Sequence, residues 1–142
     1  MLCWKQSQGR EAKSAPELQD RRRVLTLDEF FAGRQESWRL FEALRAAVDA
    51  LGPVEVRVTK SQVAFRRRRA FAWAWLPGAY LRGKHAPLVL TLSLRRRDPS
   101  PRWKEVVEPY PGRFTHHLEL RSTAEIDDEV CAWLQEAWAA AG

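Results

Sequence analysis

From Trp38 to Leu51 the apolar residues of this chain recur every three or four positions, and from Val54 they recur every second one. In "RQESWRLFEALRAAVDALGP" the residues Trp38, Phe41, Leu44, Val48 and Leu51 make one helical stripe, which Gly52 and Pro53 end. Immediately afterwards Val54, Val56 and Val58 alternate with Glu55 and Arg57, the period of a strand with one buried face. A chain that switches period in this way and holds the strand period until a closing helix builds one sheet with helices segregated to one face.

The remaining elements follow from the same periodicities. Before the long stripe, "TLDEFFAG" places Glu29 three residues after Thr26, the form of a capping box, and Gly33 suits a left-handed stop, so a short first helix is predicted. "TKSQ" turns the chain after Val58. "KSQVAFRRRRAFAWAW" then reads as a hairpin with its tip near Arg67 and Arg68. Val63 and Phe65 share one face of it. The expected parity puts Phe71, Trp73 and Trp75 in the core and Ala64, Ala70, Ala72 and Ala74 outside. Alanines opposite tryptophans also permit the reverse, with the rings outside beside the arginines, and that arrangement favours nucleic acid. Pro77 and Gly78 open a loop reaching about Pro87, and "LVLTLSLR" is a strand with Leu88, Leu90, Leu92 and Leu94 inward. A proline-rich link, "RRRDPSPRW", precedes the apolar pair Val106 and Val107, the turn-like "EPYPGR" and a strand "FTHHLELR". Ser122 with Glu125 is a second capping box, leading into a closing helix whose face is Ile126, Val130, Trp133, Leu134 and Ala137.

The predicted architecture is therefore α+β: a single two-layer domain over residues 24–142, mostly antiparallel sheet, packed on one face by an N-terminal helical pair and a C-terminal helix. Residues 1–23 are polar, lack a sustained apolar period and contain Pro16, so they are expected to form a disordered or loosely ordered tail. A chain of 142 residues buries enough surface to fold without disulfides or metal. Cys3 and Cys131 stand far apart with no CxxC spacing, which with the lack of a long apolar run or signal-like N-terminus leads to the expectation of a reduced, cytoplasmic protein without membrane contact.

Candidate chemistry is sparse. His116 and His117 are adjacent on a strand and project to opposite faces, so they do not share a metal ion, and no metal or cofactor is expected. The acidic group Glu125, Asp127, Asp128 and Glu129 sits where carboxylates favour the start of a helix. No GxSxG, GxxxxGK[ST] or GxGxxG motif occurs, so no catalytic residue is assigned. The candidate binding residues are Lys60, in a turn beside Thr59 and Ser61 where backbone N–H groups can hold an anion; the run Arg66, Arg67, Arg68 and Arg69; Trp103, as a stacking platform; and His117. The net charge of +6 agrees with an acidic partner, although abundant arginine and alanine also follow from GC-rich coding.

The runs "VEVRVTKSQVAFRRRRAFAW", "TLDEFFAG", "RWKEVVEPYPGRFTHHLEL" and "IDDEVCAWLQEAW" resemble the bacterial domain-of-unknown-function family DUF5655, from about Val24 to the C-terminus. The most diagnostic part is Thr59, Lys60 and Ser61 followed by Ala64, Phe65 and Arg66; many relatives carry a "GHWG"-like loop where this chain has "PYPGRF". The resemblance implies a small α+β module that occurs alone or at the end of longer proteins, and it implies no activity, ligand or catalytic residue.

Three functional readings follow. The first is a module that binds nucleic acid or another polyanion through the basic hairpin and outer sheet face, with Arg57, Arg95 and Arg121 assisting. The second is a protein-interaction module that accepts a partner on the alanine face or hairpin edge. The third is an enzyme with a pocket of dispersed side chains, Lys60, Glu108, His116 and His117. The first is preferred.

Overall fold

The computed structural model describes residues 25–79 and 85–142, so the expected tail lies outside the described residues. Two helices lead, α1 (Leu27–Phe30) and α2 (Gln35–Asp49), followed by strands β1 (Glu55–Val58), β2 (Val63–Arg66), β3 (Ala70–Trp75), β4 (Leu88–Leu94), β5 (Glu105–Tyr110) and β6 (Arg113–Leu120). Helix α3 (Asp128–Ala140) closes the fold. The strands form one six-stranded sheet in the order β1-β2-β3-β4-β6-β5. Every neighbouring pair is antiparallel, and α2 and α3 pack on β4 and on each other, so the fold is α+β as the periodicity requires.

Local chemistry sets the element ends. In α1 the reciprocal cap is complete: Glu29 N–H donates to Thr26 Oγ1 at 3.0 Å, and Thr26 N–H donates to Glu29 Oε1 at 2.9 Å. The Ser122–Glu125 box also forms, but it caps a separate 3-10 turn, Thr123–Glu125; α3 begins later, where the Asp127 carboxylate accepts the Val130 N–H at 3.1 Å. Gly52 has φ of 143°, and a Cβ there would lie 2.7 Å from the Trp138 ring. The Trp138 indole donates to the Pro53 carbonyl at 3.3 Å, which ties the end of α3 to the exit of α2.

Register fixes which residues share a face. Val56 and Val58 pair with Phe65 and Val63, which pair with Ala72 and Ala74, which pair with Leu92 and Leu90. These lie on the core face, where Leu88, Leu90, Leu92 and Leu94 are almost fully buried. His116, Leu118 and Leu120 continue that face on β6. The parity of β3 is thus the reverse of the expected one. Ala72 and Ala74 are wholly buried beneath α3, whereas Trp73 pairs with Thr91 and Trp75 with Val89 on the opposite side of the sheet. Phe71 alone of the three aromatics is buried in the core, at the start of β3 beside an irregularity in the β2–β3 pairing. The cause is volume: β4 contributes a continuous leucine row and α3 contributes Val130, Trp133 and Leu134, so the space over β3 takes methyl groups and excludes indoles.

Candidate functional site

The outer sheet face carries a row that crosses all six strands: Arg57, Ala64, Trp73, Thr91, His117 and Glu105. Beside it run Trp75, Val89 and Glu119. Trp73 and Trp75 are partly exposed and shelter their cross-strand neighbours Ala64, Val89 and Thr91, which are buried. A relay links three strands here. The Trp75 indole N–H donates to Thr91 Oγ1 at 3.0 Å, and Thr91 Oγ1 lies 2.8 Å from His117 Nδ1. No other acceptor among the described residues takes the Thr91 hydroxyl proton, so the hydroxyl donates to Nδ1 and His117 carries its proton on Nε2. Burial pushes the His117 imidazole down, against the pull of Glu105, which keeps the ring neutral.

One end of the same sheet gathers arginine. The β2–β3 tip supplies Arg67, Arg68 and Arg69, the exit of β4 supplies Arg95, Arg96 and Arg97, and the start of β6 supplies Arg113. Arg69, Arg95 and Arg113 line one small cleft with Phe71 and Ser93. Two of these side chains also close α3: Arg67 Nη1 donates to the Trp138 carbonyl at 3.1 Å, and Arg95 Nη2 donates to the Ala140 carbonyl at 3.3 Å. The Arg67 guanidinium lies 3.7 Å from the centre of the Trp138 ring. The tip is therefore docked on the helix end rather than standing free in solvent. Arg66 sits 3.8 Å from Glu55, and Arg96 pairs with Glu136 and Asp98. Arg67, Arg68, Arg69, Arg95, Arg97 and Arg113 have no carboxylate partner among the described residues.

On the other face, the proline-rich link folds into a buried polar knot. Asp98 Oδ2 accepts from the Trp103 indole at 2.9 Å and from the Ser100 N–H at 3.1 Å, while Oδ1 pairs with Arg96 at 2.9 Å. Burial alone would raise the Asp98 carboxyl; these donors and Trp133 outweigh it and hold the group below its ordinary range. The Asp98 N–H donates to His116 Nε2 at 3.0 Å, so His116 is protonated on Nδ1, which faces the Phe114 carbonyl at 3.2 Å. Desolvation pushes the His116 imidazole down.

These positions revise the sequence-based site. Trp103 is 8% exposed, with its ring centre 4.7 Å from that of His116 and 4.2 Å from that of Trp133, so it is a core residue and no stacking platform. Lys60 is exposed, but Thr59 Oγ1 already accepts the N–H groups of Ser61 and Gln62, at 3.3 and 3.2 Å, so the turn holds no open anion nest. Lys60, Glu108, His116 and His117 do not converge. The two histidines lie on opposite faces, and Lys60 follows β1 whereas Glu108 is on β5, the opposite edge of the sheet, with β1 and β5 roughly 24 Å apart at the usual strand spacing. Of the assisting arginines, Arg57 lies in the outer row and pairs with Glu55 at 3.0 Å, Arg95 reaches the Ala140 carbonyl at the end of α3, and Arg121 pairs with Glu119 at 3.2 Å. Sequence reasoning preferred the wrong face for Trp73 and Trp75, for which the signal was the Ala–Trp alternation itself, and did not single out Arg97 and Arg113. Among the described residues no group of three or more His, Cys, Asp or Glu could hold a metal ion, and no helix is long and apolar enough to cross a membrane.

The sequence profile described as "Domain of unknown function (DUF5655)" matches residues 27–141. No curated protein and no solved structure matches.

Proposed function

Because the chain belongs to the family of the domain of unknown function DUF5655, a membership that brings no activity with it, we propose its function from its surface: a module that binds a polyanion, nucleic acid above all, at the arginine end of the sheet. The observation that carries this reading is the gathering of Arg67, Arg68, Arg69, Arg95, Arg97 and Arg113 from three separate parts of the chain without carboxylate partners. Like charges held together cost stability unless a counter-charge arrives, and a phosphate backbone supplies one.

Fluorescence anisotropy with labelled duplex DNA and with heparin at two salt concentrations tests it. Binding should weaken steeply with salt. Replacing Arg68, Arg69 and Arg97 with serine should flatten the log–log salt slope by about 0.7–0.9 for each phosphate that is no longer neutralised. Salt-independent binding, or none at low salt, overturns the reading. One observation favours the protein-interaction alternative: edge strand β5 exposes Val107 and Tyr110, the latter at 69%. Concentration-dependent self-association that persists in high salt would support that alternative.

A further inference from the structure

The arginine end and the tryptophan face are continuous along the same strands. On β4 the outer positions Thr91 and Val89 lie beyond Ser93, which lines the arginine cleft, and they pair with Trp73 and Trp75 on β3. Side chains two apart on one strand face stand roughly 6.6 Å from each other, so the two indoles form successive steps leading away from the charge. We propose that this face binds an unpaired nucleic-acid strand, with phosphates on Arg69 and Arg113 and successive bases against Trp73 and Trp75.

Three features select an unpaired strand over a duplex. A duplex offers its phosphates but keeps its base faces stacked inside, and a tryptophan on a sheet has no means of reaching them; an unpaired strand presents both at once. The Trp75 indole N–H is already satisfied by Thr91, so its ring is held in place before any ligand arrives, which lowers the ordering cost of binding. The His117 Nε2–H, left without a partner among the described residues, is a fixed donor beside the stacking positions, suited to an acceptor on a base edge. Glu119, beyond the tryptophans, is already paired with Lys104 and Arg121, so the arginine end is where the face carries uncompensated positive charge for a phosphate. Stacking is indifferent to the sugar, so RNA and DNA strands are bound alike.

The inference rests on the polyanion reading, and its test separates the two. The full chain is titrated with a labelled single strand of about a dozen nucleotides, as RNA and as DNA, with the corresponding duplex and with heparin. The single strands should bind at least about tenfold more tightly than the duplex, and Trp73→Leu with Trp75→Leu should remove that margin while heparin affinity is unchanged. Leucine preserves the apolar cover over Ala64 and Val89, and the pair Trp73→Phe with Trp75→Phe, which keeps a stacking face, should restore the margin. Equal binding of single strand and duplex, or leucine variants that bind single strands as well as the parent does, overturns the stacking site and leaves the arginine end standing. Loss of heparin binding together with single-strand binding in the leucine variants also overturns it. Failure to bind any of the polyanions overturns both.

Discussion

His116 and His117 are joined by one peptide bond and serve opposite sides of the sheet. Around His116 every polar group has an answer: Asp98 N–H on Nε2, the Phe114 carbonyl at Nδ1, and the Trp103 indole, Ser100 N–H and Arg96 on the Asp98 carboxylate. Around His117 the answers run out. Its Nδ1 is held by Thr91, its Nε2–H has no partner among the described residues, and the arginines at the end of that face lack carboxylates. A buried polar group left unpaired destabilises the fold, so the core side must be closed; a polar group at the surface is tolerated by water and stays available. The two sides of one strand thus divide between holding the chain together and leaving something to bind.

The largest expected effect breaks the closed side. Asp98→Ala removes the acceptor of the Trp103 indole and Ser100 N–H and the partner of Arg96, and should cost about 3 kcal/mol of stability in urea unfolding. If Trp73→Leu with Trp75→Leu costs as much, the division between the two faces is wrong, because those rings serve no core.

Next in size is a pH effect that belongs to the closed side. His116 is held below its ordinary value of 6.5 in the fold, so the unfolded chain takes up its proton first as pH falls. Stability is therefore full above about 6.5 and declines below it. Asp98, held below its ordinary 3.8, adds a second loss as pH falls through and below that value, with the same sign. His117 is also pushed down and contributes in the same window as its neighbour, so His117→Gln separates them. The decline below pH 6.5 should persist in His117→Gln and be reduced in His116→Gln.

A smaller change tests the open side. Thr91→Val keeps the shape and deletes the bridge between Trp75 and His117, which should cost about 1 kcal/mol and leave the core untouched. The imidazole signals in NMR should report the change, with the His117 ring losing its Nε2–H preference while His116 keeps its Nδ1–H.

Much of the closed side was legible in the sequence, and the open side was not, for a physical reason. Valine and leucine alternation in Val54–Val58 and Leu88–Leu94 names its buried face, because Glu55, Arg57, Thr91 and Ser93 fill all the alternate positions but that of Val89. In "AFAWAW" both faces are apolar, and transfer free energy alone sends the larger residue inward. What reverses it is the space beneath α3, a property of elements more than fifty positions away in the chain. Asp98 was hidden similarly: in "RRRDPSPRW" it reads as a turn residue, and its partners His116 and Trp133 become neighbours only once β6 and α3 are docked. The capping boxes, whose partners are three residues apart, were legible as pairs, but the Asp127 cap that starts α3 was not.

The smallest expected effects lie within the arginine run and sharpen the comparison to single residues. Arg67 belongs partly to the closed side, since it donates to the Trp138 carbonyl and lies on the Trp138 ring at the negative end of α3. Arg67→Ser should cost about 1 kcal/mol of stability. Arg68 and Arg69 make no side-chain hydrogen bond or ion pair among the described residues, so serine at either should change stability by less than about 0.5 kcal/mol. Polyanion binding reverses that order: the Arg68→Ser and Arg69→Ser variants should lose affinity at least as much as Arg67→Ser, because only a side chain not already committed to the helix end is free to follow a phosphate. Thermal unfolding and heparin titration on the same three variants read both quantities. If stability and affinity fall together across all three, the run is one structural unit, and the separation between closed and open groups does not extend to its individual residues.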